Sequence, residues 1–360
     1  MRIGVLTGGG DAPGLNPAIA GVVERASMDG IEVVGLKRGW QALAIRENDR
    51  HIVKLGPEII REYSRLGGSK LQCSRTNPVN PQNDRTDIVK ENMKKLALDA
   101  VIAIGGEDTL GAAEVLTERG LPVVGIPKTI DRDLAGTEYT LGFDTALNVI
   151  CESAERVAHT AESHETIFLL EVMGRHAGWL ALRGGESAFA DVILIPEYPF
   201  AVDNLISVIK ERQKESDPLG FEHRYKIIVV SEGAHIQGEE PVRRDSKLDE
   251  FGHYSLGGVG DYLKGLLEHE FKHTRYTALA YLQRGAPPSQ RDRQIGRRFG
   301  HSAVELVKEG RFGHMVAVRR SKLAVVPLKE VRKSPSLVDV ARLYDTGRLN
   351  VKIENPLVGD

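Results

Sequence analysis

Two loops, each following a short apolar run, concentrate side chains able to do chemistry. Within Asp99–Asp133, DAVIAIGGEDTLGAAEVLTERGLPVVGIPKTIDRD, the pair Gly105-Gly106 is followed by Glu107, Asp108 and Thr109. The second loop brings Lys128, Thr129, Asp131, Arg132 and Asp133 after Pro127. Carboxylates beside an ammonium and guanidinium groups suit phosphoryl transfer, where catalysis is mostly positioning and charge neutralisation. Arginines and Lys128 would hold phosphates, one carboxylate would hold Mg²⁺, and another would take the proton from an attacking hydroxyl. Upstream, Leu6–Pro17 (LTGGGDAPGLNP) places Gly8, Gly9 and Gly10 between a strand and a helix, where backbone N–H groups can face an anion. Alone, that turn reads equally well as a tight connection without a ligand. It matches neither the dinucleotide fingerprint nor the Walker spacing. Arg75, in SRLGGSKLQCSRTNP, can reach a phosphate bidentately, although by itself it reads as a solvated loop arginine.

The elements that must position these groups follow from periodicity. Ala100–Ile104 is a buried strand by length and β-branching, Leu110–Arg119 a helix stopped at Gly120, and Pro122–Ile126 a second strand. This βαβ unit places both charged loops at strand carboxyl ends, where such sheets bind ligands. Ile3–Leu6 is a strand and Ala18–Ala26 a helix, with Asn16 as its cap and Pro17 in its first turn. Ile31–Leu36 and the helix Asp87–Leu98 complete the first half. Downstream, Gly142–Ala146 opens a helix running through Ala161, and the strand Thr166–Val172 leads into Met173-Gly174-Arg175. Val192–Pro196 is a strand, Val202–Glu215 a helix, and Tyr225–Val230 a strand ending at Ser231-Glu232-Gly233. His235–His253 reads as a surface excursion, Tyr276–Leu282 as a strand ending in Gln283-Arg284, and Gln290–Glu309 as a basic helix. Strands alternating with helices imply doubly wound α/β layers. Strand end after strand end carries glycine or charge, and together they describe a crevice for an anionic substrate.

Composition narrows the class. A length of 360 residues corresponds to about two domains. The net charge of −2 argues against nucleic-acid or anionic-membrane binding. Two cysteines, Cys73 and Cys151, fit a reducing compartment better than a disulfide framework or zinc site. Met1-Arg2 leads directly into a strand, with no secretion signal or long apolar span, so a cytoplasmic protein is expected.

GGGDAPGLN, GGEDT, PKTIDRD, GFDTA, EVMGRHAGW and LQRG resemble the signatures of the phosphofructokinase family, in its order and spacing, to about residue 325. Asp249–His253 followed by Leu256-Gly257-Gly258 resembles its mixed-substrate, largely bacterial, group. The resemblance implies two doubly wound α/β domains with the active site in the crevice between them. Residues 1–142 and 283–330 would bind the phosphoryl donor, and residues 143–282 and 331–360 the sugar phosphate. Asp131 would be the base, with Thr129 and Asp133 alongside. Gly9, Gly10, Arg75, Gly106, Asp108, Thr109 and Lys128 would face the donor, and Glu107 would carry Mg²⁺. Met173, Gly174, Arg175 and Glu232 would line the sugar, with Arg275, Tyr281 and Arg284 on its phosphate. Arg75, Lys128 and Arg175 would assist the transfer itself. Family members share the acceptor site across a subunit boundary, so a homodimer or homotetramer is implied.

The donor follows from two side chains. ATP-using relatives have glycine at the positions of Asp108 and Lys128, which leaves room for the nucleotide's α-phosphate. Asp108 would fill that room and repel the phosphate, while Lys128 adds a cation beside the two remaining phosphates and a partner for the acid. Lysine alone also occurs in ATP users of the mixed group, so Asp108 carries the expectation of pyrophosphate. As a purely structural residue Asp108 would be a helix N-terminal acid, worth only ~0.3–1 kcal/mol. Fructose 6-phosphate is the expected acceptor; sedoheptulose 7-phosphate, another sugar or polyol, and ATP as donor, are the alternatives. Four departures bear on it: Thr166 where an acceptor-phosphate arginine is usual, Arg132 where asparagine is usual, and Ala280 and Ala286 in place of glycines. Arg132 or Arg291 would be the substitutes for the missing arginine. Ala20 and Glu24 replace the effector-binding arginines of allosteric relatives, so control by ADP or phosphoenolpyruvate through that helix is not expected.

Overall fold

In a computed structural model the residues described are 1–214, 225–243, 251, 252, 254, 256–331 and 333–353. In chain order the main elements are β1 (Arg2–Thr7), α1 (Leu15–Met28), β2 (Glu32–Leu36), β3 (Ile52–Leu55), α2 (Thr86–Lys95), β4 (Ala100–Gly105), α3 (Glu107–Glu118) and β5 (Val123–Pro127). There follow α4 (Phe143–Ser163), β6 (Ile167–Val172), α5 (Trp179–Ser187), β7 (Val192–Leu194), α6 (Val202–Gln213), β8 (Lys226–Ser231), α7 (Val259–Leu267) and β9 (Thr274–Ala278). The last are α8 (Gln290–Lys308), β10 (His314–Arg319) and β11 (Lys322–Pro327). The chain divides into two compact units, one built mainly from Met1–Ala146 and Arg284–Pro335, the other from Leu147–Lys247, Tyr254–Gln283 and Ser336–Asp360. Among the described residues no helix is long and apolar enough to cross a membrane.

The first unit holds a sheet of order β11-β10-β5-β4-β1-β2-β3. Its strands β10, β5, β4, β1 and β2 run parallel, and β3 and β11 close the edges antiparallel. Apolar residues at successive positions of a strand point to opposite faces, so continuous apolar runs bury both. Ile3, Val5, Ile102, Ile104 and Ile126 pack with Leu15, Ile19 and Val22 of α1 and Phe299 and Val304 of α8. Leu6, Val101, Ala103 and Val123 pack on the other face with Leu110, Ala113 and Leu116 of α3. The second unit holds the parallel sheet β9-β6-β8-β7. Parallel order with helical crossovers is the α/β architecture anticipated from the alternating pattern.

Several local readings need correction. Glu107, Asp108 and Thr109 are not a loop: α3 begins at Glu107, directly after Gly106, and the two acids sit in its first turn, where the helix dipole favours them. Asn16 does not cap α1. That helix starts earlier, from Gly14 at φ 99°, and the Asn16 amide, now inside it, donates to the Leu66 and Gly67 carbonyls while its Oδ1 accepts from Lys70 N–H. The strand read as Tyr276–Leu282 stops at Ala278, and Leu282–Gly285 is a helical turn, so Gln283 and Arg284 do not lie at a strand end. Of the excursion read over His235–His253, positions 244–250 and 253 lie outside the described residues.

Candidate active site

Three connections of the first unit meet around Lys128. β1 ends in Gly8-Gly9-Gly10, β4 in Gly105-Gly106, and β5 in Lys128, and the register Thr7↔Ile104 and Gly105↔Pro127 sets the three ends level. A Cβ at Gly8 or at Gly105 would overlap the Thr109 side chain, so glycine at both positions lets the first turn of α3 close over the strand ends. Thr109 is thereby buried, and its carbonyl accepts from the Trp40 indole N–H at 3.1 Å. Two of the three N–H groups expected to face an anion are already taken: Gly8 N–H by the Ile104 carbonyl at 2.9 Å and Gly9 N–H by the Ser74 carbonyl at 3.1 Å. The turn is fastened to the neighbouring strand and to the loop that carries Arg75, which itself is exposed.

Lys128 is only 4% exposed, and its ammonium donates to the Gly10 carbonyl. Burial pushes its pKa down, Arg284 pushes the same way, and Cys73, Asp11 and Asp131 oppose. Asp11 and Asp131 are thus acids whose charge acts on it. The Arg284 guanidinium packs against Gly10 in the first unit.

Asp131 and Asp133 follow in the same loop. Thr129 Oγ1 accepts from Asp131 N–H at 3.1 Å and also bonds Asp133. Burial, then the Asp131 charge, then that of Glu107, raise the Asp133 pKa to about 7. Hard carboxylate oxygens crowded in this way suit Mg²⁺. Among the described residues no group of three or more His, Cys, Asp or Glu side chains could hold a metal alone.

In the second unit, Met173-Gly174-Arg175 and Ser231-Glu232-Gly233 follow β6 and β8, neighbours in the sheet. Gly174 takes φ 132°, which L side chains rarely adopt, and its carbonyl accepts from Ser231 Oγ at 2.7 Å and Gly233 N–H at 3.1 Å. Glu232 N–H donates to the Val172 carbonyl at 2.8 Å. Gln283, which the sequence left without a role, accepts Met173 N–H on its side-chain oxygen at 2.9 Å. Met173, Gly174, Arg175 and Glu232 are thus brought together. Arg275 is not: it pairs with Phe168 near the start of β6, on the edge strand β9, about four residues or ~13 Å along the strand from Val172. Tyr281 lies beyond the end of β9 and is 68% exposed.

The departures have local explanations. Arg132 has φ 56° and Ala280 φ 41°, in the left-handed region that asparagine and glycine tolerate and that costs other residues about 1–2 kcal/mol. Thr166 is buried, its hydroxyl donating to the His164 carbonyl at 3.2 Å. Ala20 is buried, and Glu24 accepts from Arg297 at 2.6 Å and His301 at 2.8 Å, the Arg297 bond holding its carboxyl below the usual range. A positioning residue missed from the sequence is Asp292. It is fully buried and accepts from Tyr139 Oη and Gly142 N–H at 2.8 Å each and from Thr145 N–H at 3.0 Å. Its signal was the capping pattern Ser289-x-x-Asp292, in which Ser289 Oγ accepts from Asp292 N–H.

Glycine turns, a buried lysine and crowded carboxylates at parallel-strand ends define a doubly wound α/β protein built to take an anion. Residues 2–307 match the family described as Phosphofructokinase. The chain belongs to the phosphofructokinase family, and is a phosphotransferase acting on a sugar alcohol group. It is 44% identical over 343 residues to the pyrophosphate–fructose 6-phosphate 1-phosphotransferase of Dictyoglomus thermophilum, covering 95% of this chain and 96% of that one. It is 40% identical over 344 residues to ATP-dependent 6-phosphofructokinase 3 of Streptomyces coelicolor, covering 95% and 98%. The fold is that of the pyrophosphate-dependent phosphofructokinase of Marinobacter aquaeolei, with a TM-score of 0.82 at 22% identity over 98% of this chain and 88% of that one.

Proposed function

We propose that the chain catalyses reversible, Mg²⁺-dependent transfer of a phosphoryl group from pyrophosphate to O1 of fructose 6-phosphate. Relatives using either donor are similar in identity, and the position of Asp108 supports pyrophosphate. It stands in the first turn of α3, two residues from Gly106, where an acid opposes a third phosphate and Lys128 lies on the neighbouring strand end. The first unit supplies the donor side through Gly9, Gly10, Arg75, Gly106, Thr109 and Lys128. The second supplies the acceptor side through Met173, Gly174, Arg175 and Glu232.

Asp131 takes the proton of the O1 hydroxyl, held in orientation by Thr129, while O1 bonds to the nearer phosphorus and the bridging P–O bond breaks. The departing phosphate keeps the bond electrons and is stabilised by Lys128 and Arg75. The Asp131 charge raises the Asp133 pKa to about 7, so Asp133 is the carboxyl that carries a proton near neutrality. Mg²⁺, carried by Glu107 with phosphate oxygens, supplies charge neutralisation on the transferring group when bound. Arg275 sits away from the other acceptor residues of its own chain, which supports a homodimer or homotetramer in which it serves a partner copy. Glu24, paired with Arg297 and His301, supports the absence of nucleotide control at α1.

Buried Thr166 favours one alternative, in which the pocket accepts sedoheptulose 7-phosphate or an unphosphorylated polyol. Phosphorus NMR with pyrophosphate, Mg²⁺ and a panel of sugars, sugar phosphates and polyols tests the acceptor. Fructose 6-phosphate should yield inorganic phosphate and a sugar bisphosphate faster than any other member; faster turnover of another member overturns that choice.

A further inference from the structure

The Met173–Gly178 connection between β6 and α5 is gripped at both ends, and the proposed reaction makes no use of the far grip. At the near end Gln283 takes Met173 N–H. At the far end the Glu197 carboxylate, in the turn that follows β7, accepts Gly178 N–H on its two oxygens at 2.9 and 3.0 Å. Gly178 directly precedes α5, and an N–H at a helix start has no partner within the helix. A Cβ at Gly178 would lie 2.7 Å from Glu197 Oε2 and 2.6 Å from the Ile195 side chain, so only glycine lets the carboxylate reach this backbone. Glu197 holds a second N–H as well: its Oε1 accepts from Val338 at 2.9 Å. Val338 belongs to a C-terminal segment beyond residue 307, where the family match ends. Further bonds fasten that segment to β7 and α5. Trp179 Nε1–H donates to the Ser336 carbonyl at 2.8 Å, Tyr344 Oη to the Ile193 carbonyl at 2.6 Å, and Ile193 N–H to the Leu349 carbonyl at 2.8 Å.

We infer that Glu197 is a positioning residue for the acceptor, through which the C-terminal segment braces the loop presenting Met173, Gly174 and Arg175. The inference rests on the reading of that loop as acceptor-lining. Bonds from a carboxylate to backbone N–H groups are about twice as strong as neutral ones, so one side chain ties two segments firmly. With both ends of a short connection fixed, Arg175 is held near one arrangement, and less freedom is lost when a ligand binds beside it. An apolar side chain would fill the same space without burying a charge; what it would lack is the two N–H contacts.

Steady-state kinetics and amide hydrogen exchange on the full chain test it. Glu197→Met keeps the side-chain length and loses both acceptor oxygens, whereas Glu197→Gln keeps one. Glu197→Met should raise KM for fructose 6-phosphate about tenfold and leave KM for pyrophosphate within about twofold. Exchange should quicken selectively over residues 173–178 and 336–338, and Glu197→Gln should recover most of both effects. Trp179→Phe removes only the indole N–H to Ser336 and should shift the same KM in the same direction by a smaller factor; it is read in place of Glu197→Met if that variant does not fold. Equal rises in both KM values, or none, overturn the inference. So does exchange that quickens uniformly along the chain, which is lost stability alone. A wild-type chain that ignores fructose 6-phosphate defeats the proposed reaction instead. Exchange then decides for Glu197 without turnover: selective loss of protection over 173–178 supports the bracing, and protection equal to wild type overturns it.

Discussion

The loops of the first unit proposed for the donor and the loops of the second proposed for the sugar are built by different means. Around Lys128 the chain is locked: glycines admit the Thr109 side chain, two turn N–H groups are committed to neighbouring carbonyls, and an ammonium is held on a carbonyl in the interior. The second unit anchors Met173–Arg175 just as firmly on Ser231–Gly233, yet Arg275 lies towards the other end of the strands and Tyr281 is 68% exposed beyond β9.

That contrast can be broken most severely at the base. Asp131→Asn should lower kcat by ~10²–10⁴ with little change in KM for pyrophosphate, measured by steady-state kinetics; a loss under tenfold removes Asp131 from the role. Next, Gly105→Ala forces a methyl group into the Thr109 side chain and should cost ~1–3 kcal/mol in denaturant unfolding. Tyr281→Ala, exposed in the second unit, should stay within about 0.5 kcal/mol in the same assay. Equal effects would erase the distinction between the two regions.

Asp133 gives a smaller, pH-dependent signature. Its folded pKa of about 7 lies above the ordinary carboxyl value, so the native state binds more protons than the unfolded chain from about pH 4 to 7. This group's contribution is fully present below that window and is lost as pH rises through about 7; Asp133→Asn should flatten the fall, and Mg²⁺ with pyrophosphate should shift it down in pH. The smallest effect is expected at Ala280, where Ala280→Gly relieves φ 41° and should stabilise by at most about 1 kcal/mol, partly offset by glycine's greater entropy when unfolded.

Much of the donor side was legible in the sequence because its signals are local. Apolar runs too short for helices, glycine pairs and the charges after them placed the ends of β1, β4 and β5 within a residue or two. What escaped depends on contacts between distant segments. No spacing announces that Gly9 N–H is consumed by Ser74, that Cys73, Arg284, Asp11 and Asp131 all act on Lys128, or that Arg284 leaves the strand end for a helical turn against Gly10. Asn16 shows the same limit: it is a good cap by type, but Gly14 starts the helix earlier and frees the amide to tie down residues 66–70. Arg132 and Ala280 were visible as departures, and only the backbone shows why asparagine and glycine are the easier residues there.

The central claim is that an acid in the first turn of α3 leaves room for two linked phosphates and excludes a nucleotide. Comparing kcat/KM for pyrophosphate and for ATP, with fructose 6-phosphate and Mg²⁺, tests it in one assay on the wild-type chain. Pyrophosphate should be the donor by orders of magnitude, with Asp108→Gly narrowing the gap. Efficient use of ATP by the wild-type chain, with pyrophosphate ignored, would contradict it.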